Sequence, residues 1–349
     1  METTGTLDEA LLRLHRSGPE FQGYLSNHGP MAVEAMVRRG HAPAVHRWLD
    51  DYATRLEDAP RPHAPLTDAT WREALGDPSR LADWVAYFSR LTAERPWRDV
   101  LATWWPRLLP GIAGAATHPA IRTGHAVRAL LTDGEDAPRV AELAYALGYW
   151  AARHVPLPVD VRPSGDAEPR DVLPALPRLA DTHLMPLKGL ALLPGTPGWP
   201  EAVASVAVPT RPADVPAALA ALVEAATLHY GERGHGNPVM LVHAATAPNA
   251  VLRTLPALPE EQWIPSLTVA WAATAALTSL YSAGTPRPLP AAPGLTAEEV
   301  FAEAVAHGDA HVVKFADTAL DVAAAAPDGD GRALAAALNA VRLIGQGED

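Results

Sequence analysis

The sequence predicts an all-α fold: a single compact multi-helix domain over residues 1–349 with Pro-rich loops. Three observations carry this. Apolar residues recur at i, i+3, i+4 and i+7 along most of the chain. The 35 prolines fall mostly between these segments, as punctuation. Strand-like patterning is scarce, and its best example, 203–208, stands isolated. With 349 residues, 48% hydrophobic and 19% charged, the chain can bury a deep core without a covalent or metal staple.

The elements follow in order. Residues 7–14 form a short amphipathic helix. A helix over 30–39 opens on Pro30, which suits a first helical position, and stops at Gly40. A third, 43–56, opens on Pro43 and aligns Val45, Trp48, Leu49, Tyr52 and Leu56 on one stripe. Further helices are expected at 68–75, 80–91, 97–109, 119–131, 137–153, 172–182, 213–230, 247–255, 260–282, 297–307, 310–324 and 332–344. Segments 156–168 and 284–293 read as Pro-rich loops, and the first is where the domain could subdivide. The longest apolar tract, 264–280, is broken by Pro265, Ser266, Thr268, Thr274 and Thr278. It reads as a buried core helix rather than a membrane span. Residues 1–12 carry Glu2, Asp8 and Glu9 and lack the basic start and apolar run of a targeting signal, so a cytoplasmic location is expected.

Composition removes whole function classes. The formal net charge of -12 argues against a nucleic-acid binder, which needs a basic face. There is no cysteine, so disulfides, thiolate metal sites, iron–sulfur clusters and Cys nucleophiles are excluded. No phosphate-binding loop, dinucleotide fingerprint, His-Glu-x-x-His or Gly-x-Ser-x-Gly occurs. The 14 histidines are left as the main candidates for metal ligand or general base. Of the 28 basic residues only Lys188 and Lys314 are lysines. Arginine does not lose its proton in a protein, whereas a buried lysine can and then becomes a nucleophile. Lys188 reads as a residue on a solvated face.

His311 and Lys314 lie three apart on a predicted helix, hence on one face, among Val312, Val313 and Phe315. The lysine either snorkels to solvent or stays neutral and carries a carbamate formed with carbon dioxide. His118 precedes Pro119 at a helix start, and His125 lies two turns on along the same face. His28 likewise precedes Pro30 by one glycine, and His243 is a single imidazole in an apolar run. Each histidine alone is more often a hydrogen-bonded core or cap residue than a ligand.

Four stretches carry a resemblance. They are Leu25-Ser26-Asn27-His28-Gly29-Pro30-Met31-Ala32, Thr117-His118-Pro119-Ala120-Ile121-Arg122-Thr123-Gly124-His125-Ala126, Leu241-Val242-His243-Ala244-Ala245-Thr246 and Asp309-Ala310-His311-Val312-Val313-Lys314. In order and separation the set resembles the questin oxidase-like family of aromatic polyketide tailoring oxygenases, from residue 20 to about 325. The resemblance implies a helical protein built around a mononuclear non-haem iron. Its implied ligands are His28, His118, His243, His311 and a carbamylated Lys314. It implies roles near the reaction for Asn27 and for His125, the latter facing substrate or supporting a ligand. Met31 stands where fungal relatives carry a second histidine, so the surroundings of His28 depart from the family pattern.

Neutral imidazoles suit Fe(II), and one carboxylate-type anion offsets part of its charge. The implied reaction is dioxygen-dependent cleavage of a carbon–carbon bond in a hydroxylated anthraquinone or related polycyclic ring. NADPH, used by relatives, has no recognisable motif here. The expected partner is a small aromatic polyketide, with neither nucleic acid nor membrane, and a homodimer is left open. Trp104, Trp105, Trp150, Trp271 and Tyr281 are candidates either for a flat aromatic pocket or for core packing. Two other readings stand beside the oxygenase. One is a cofactor-free cyclase or hydrolase with His125 or His243 as general base; the other is a non-catalytic helical scaffold of a biosynthetic complex.

Overall fold

A computed structural model describes residues 3–158, 162–181, 183–289, 294–326 and 331–345. The protein is all-α, 70% helical with 3% strand. Cα packing divides it into two compact units, 1–156 with 253–259 and 157–252 with 260–349. The first boundary follows Pro156, at the head of a Pro-rich segment whose residues 159–161 lie outside the described residues.

The first unit contains α1 (Thr3–Leu14), a short antiparallel hairpin β1 (Glu20–Phe21) and β2 (Leu25–Ser26), then α2 (Gly29–Arg38), α3 (Ala42–Ala53), α4 (Trp71–Ala74), α5 (Leu81–Glu94), α6 (Trp97–Leu108), α7 (His118–Thr132) and α8 (Ala137–Ala152). Helix α5 lies along α8, and α7 packs on both α2 and α8. The α5–α8 approach is close because residue 148 is glycine: a Cβ there would stand 2.9 Å from the Val85 backbone. Trp104 packs edge-on against Trp71, Trp84, Tyr87 and Phe88, and Trp105 against Trp150. Trp104, Trp105 and Trp150 are thus buried core residues.

The second unit holds α9 (Pro169–Ala175), α10 (Pro186–Leu192), α11 (Trp199–Ala204), α12 (Val215–Arg233), α13 (Pro238–Leu241), most of α14 (His243–Thr254), α15 (Trp263–Tyr281), α16 (Ala297–His307), α17 (Ala310–Ala325) and α18 (Arg332–Leu343). Helix α12 packs on α9, α15, α17 and α18. Residues 260–281 are long and apolar enough to cross a membrane by length and composition, but 72% of that window is buried inside the protein. That burial fits the core-helix reading. Its polar side chains bond inward: Trp199 Nε1 donates to Ser279 Oγ at 2.8 Å, and Trp271 Nε1 donates to the Val203 carbonyl at 2.9 Å. Start and stop signals are clearest in α16, where Thr296 and Glu299 form a capping box and left-handed Gly308 ends the helix.

Several expectations need correcting. Residues 203–208 are not a strand; α11 runs to Ala204, and Val206 makes only an isolated parallel bridge to Ala167. A β-branched run without a neighbouring strand has nothing to pair with. The helix expected over 172–182 is α9, which ends at Ala175, because Pro177 pushes the residue before it out of the helical region. Thr182 lies outside the described residues, as do 290–293 of the second Pro-rich loop. Helices α10, α11 and α13 are short turns begun by prolines, too brief to show a period.

The first unit buries ion pairs. Arg122 on α7 donates to Glu142 on α8 at 2.5 and 2.8 Å, and His15 lies 2.9 Å from the same carboxylate. Burial raises the Glu142 carboxyl, but Arg122 and His15 outweigh it and hold it at about 2. A folded-state value below the ordinary 4.5 means stability that is full above pH 4.5 and lost as pH falls towards 2. The shift corresponds to roughly 3 kcal/mol. Glu142→Gln is therefore expected to lower the unfolding free energy at pH 7 by about 3 kcal/mol and to flatten its decline between pH 4.5 and 2. Denaturant titrations across pH check this; an acid sensitivity unchanged by the substitution would contradict it.

Candidate metal centre

Each unit gathers part of the histidine set. In the first, the chain leaves β2 through Asn27, whose Nδ2 donates to the Gly18 carbonyl and whose Oδ1 accepts from Gly29 N, both at 3.0 Å. The amide is used at both ends to start α2. Gly29 packs tightly here, since a Cβ would meet Leu14 Cδ2 at 2.4 Å and force that side chain to move. His28 then sits at the head of α2, 4% exposed, its backbone N–H donating to Tyr52 Oη at 2.7 Å.

His118 is placed by an unusual turn. Ala115, Ala116 and Thr117 all have positive φ, at 42, 52 and 71°. Each left-handed non-glycine residue costs about 1–2 kcal/mol, so packing must hold the turn in place. Gly114 permits that packing: a Cβ there would lie 1.7 Å from the Arg153 carbonyl. The turn brings the Ala115 carbonyl to 2.5 Å from His118 Nδ1. Nδ1 must carry the proton there, which leaves the Nε2 lone pair available. His118 Nε2 faces His28 Nε2 at 2.7 Å, with the rings edge to face. Two nitrogens bound at about 2.1 Å to adjacent positions of one ion would be roughly 3 Å apart, so the pair is spaced for a shared ion.

Deeper in this unit, Glu34 of α2 is clamped by α7. Its Oε2 accepts from His125 Nδ1 at 2.7 Å, its Oε1 from Arg128 Nε at 2.8 Å, and Arg128 Nη2 closes the fork. Burial raises the Glu34 carboxyl, yet Arg128 and His125 hold it well below the usual carboxylate range. Burial is also the main influence on His125 and pushes it down, so it is neutral at pH 7. His125 Nε2 lies 3.4 Å from Arg253 Nη1. His125 is thus 3% exposed and bonded within this network.

In the second unit, His243 opens α14 and is fully buried. Its Nδ1 donates to the Met240 carbonyl at 3.0 Å, and its Nε2 lies 2.8 Å from Lys314 Nζ. Pro248 has no N–H to give the Ala244 carbonyl one turn back, and Thr274 of α15 donates its hydroxyl there instead at 3.0 Å. That bond ties the start of α14 to α15. His311 and Lys314 lie on one side of α17, and the His311 ring stands edge-on to His243 with centroids 5.4 Å apart. Asp309 caps α17, accepting from His311 N at 2.7 Å and Val312 N at 3.2 Å, with His311 Nδ1 3.6 Å from Oδ1. Burial raises the Asp309 carboxyl, and its bonds to His311 and Val312 bring it down to about 2. Lys314 is 0% exposed, whereas Lys188 is exposed on α10, as expected of a solvated face.

The structure thus brings His28 beside His118, and His243 beside His311 and Lys314. In each unit the two imidazoles offer ligand nitrogens within 4.8 Å of each other. Glu34, the Ala115 carbonyl, Thr274 and Asp309 support these side chains. Among them only Asp309, a helix-capping residue type ahead of an apolar run, carries a local signal.

Residues 25–133 match the family model described as Questin oxidase-like. The matched segment contains Asn27, His28, His118 and His125; the stretches around His243 and His311 lie beyond it. A search of curated proteins finds no match to the chain.

Two substitutions test the supports. Ala116→Gly removes the left-handed penalty and is expected to raise stability by about 1 kcal/mol, where Ala116→Val lowers it; thermal unfolding of both variants reads this. Thr274→Val strands the Ala244 carbonyl and is expected to cost about 1–3 kcal/mol, read by chemical denaturation against Thr268→Val, whose hydroxyl bonds within its own helix.

Proposed function

We propose that the protein is a non-haem metal oxygenase acting on an aromatic polyketide, with His28, His118, His243, His311 and Lys314 holding one Fe(II). The observation that carries this reading recurs in both units. A buried histidine fixes its Nδ1 proton on a backbone carbonyl, Ala115 for His118 and Met240 for His243, and keeps its Nε2 lone pair for an ion. Metal-binding histidines are oriented in this way. The family match over 25–133 supports the oxidase class independently.

The donor set fits a borderline divalent ion. Four neutral imidazoles suit iron, and also zinc, copper or nickel. A carbamate on Lys314 would add the anion that imidazoles lack. Carbon dioxide adds to the neutral amine, a nitrogen–carbon bond forms, and the amine proton leaves. When bound, Fe(II) would supply activation of dioxygen, the co-substrate, for cleavage of a carbon–carbon bond in a hydroxylated anthraquinone or related ring. Asn27 positions His28 by closing the turn before α2, and His125 holds Glu34 and thereby the packing of α2 on α7. Any reductant, NADPH included, would act from outside this chain. With a net charge of -12 a nucleic-acid partner is disfavoured, and we place the enzyme in the cytoplasm, away from membranes.

Elemental analysis of freshly purified protein tests the reading. The expected result is one iron per chain, falling at least tenfold in affinity for His118→Ala and for His243→Ala. Protein that folds, purifies without metal and takes up none overturns it. A folded Lys314→Arg variant keeping full iron and full turnover would defeat the lysine assignment alone.

A further inference from the structure

Away from the histidine sets, the second unit gathers two guanidiniums around the end of α15. Arg178, half-buried, donates from Nε to Ser282 Oγ at 3.2 Å and from Nη2 to the Pro174 carbonyl. Arg233, 8% exposed at the end of α12, donates from Nη1 to the Gly284 carbonyl and lies 3.5 Å from the Ser282 carbonyl. Among the described residues neither is paired with a carboxylate. Helix-terminal carbonyls carry only about half a negative charge, so most of the positive charge is left unbalanced. Burying charge in that state is costly unless something anionic joins it.

His229 stands one turn before Arg233 on α12, 5% exposed, and its buried Nε2 has no hydrogen-bond partner among the described residues. Burial, then the charges of Arg178 and Arg233, push its imidazole down to about 3, so it is neutral at pH 7. Burial and the neighbouring Arg233 lower Arg178 as well. His229 and Pro174 also line a cavity of about 460 Å³. Glu168, Asp171, Glu224 and Glu232 line that cavity too and outnumber its Arg170 and Arg332, which disfavours a polyanion and favours a ligand with a single anionic group.

We propose that Arg178, Arg233 and His229 form an oxyanion-binding site, which takes one carboxylate or phosphate group carried by a small molecule. The two guanidiniums supply the charge, and His229 supplies a neutral hydrogen bond through Nε2. The site is separate from the metal reading and stands without it.

The test is the unfolding temperature of the full chain, titrated with potassium phosphate and, separately, potassium acetate, each against potassium chloride at matched ionic strength. A saturable rise beyond chloride is expected with at least one probe. Arg178→Gln and His229→Gln are each expected to shift its midpoint at least tenfold towards weaker binding. A response to phosphate alone identifies a phosphoryl ligand, to acetate alone a carboxylate ligand, and to both the shared chemistry. No rise beyond chloride overturns the site. So does an unchanged midpoint in the variants, which would leave the arginines as caps of α15; if Arg178→Gln does not fold, His229→Gln decides.

Discussion

The first unit depends on one buried carboxylate. Glu34 projects from α2 into α7, where burial alone would push a lone carboxylate towards its neutral form. Arg128 and His125 keep it charged, and both come from the same helix three residues apart. A fork and an imidazole closing on two oxygens fix how α2 slides and rotates on α7. His28 precedes the first residue of α2, and His118 is the first residue of α7. Their 2.7 Å separation is therefore a consequence of the Glu34 clamp as much as of their own surroundings. Arg122 and Glu142 fasten α7 to α8 in the same way, so α7 is gripped on two sides by paired charges. Buried pairs of this kind are weak evidence of net stability, because desolvation consumes much of their attraction. What they confer here is register.

The second unit places its histidines through a hydroxyl bond and a helix cap. Helix α14 is anchored through a bond that its own proline makes available, and α17 is anchored by the Asp309 cap, which orders the turn containing His311. Lys314 follows one turn later on the same helix face. An arginine in its place would bring a permanent charge on a longer, planar head into a fully buried position. In a chain whose other lysine is exposed, the lysine at 314 is the one whose chemistry differs from the arginine used nearly everywhere else.

The helices were legible because the signal for them is local. Period, proline starts and glycine stops place α2, α3, α6, α8, α16 and α17 within a few residues. Residues 203–208 misled because a β-branched run states only a preference, and a strand also needs a partner. The histidines were visible as residue types in a recurrent order, yet nothing local says which pairs meet. Glu34 looks like any helix glutamate; its partners lie over ninety residues away. Pro248 looks like a helix breaker, and only the position of Thr274 turns it into an anchor. The aromatic residues show the same limit, since Trp104, Trp105 and Trp150 pack as core while Trp271 lines a cavity of the second unit.

His118 and His243 make one comparison sharper. Each donates Nδ1–H to the carbonyl three residues earlier, Ala115 and Met240. For His243 the intervening residues are the end of α13, and the carbonyl arrives with no positive φ among them. For His118 the same contact is made across three left-handed residues that cost several kcal/mol together, against a total folding stability of about 5–15 kcal/mol. A right-handed approach would turn the chain elsewhere before α7, whereas Gly114 is already pressed against the Arg153 carbonyl. The turn is therefore bounded at one end by that contact and at the other by the imidazole. Strain of this size persists only where the surrounding structure over-determines it. What the strain fixes is the side of the His118 ring that carries the proton, and hence the lone pair directed at His28.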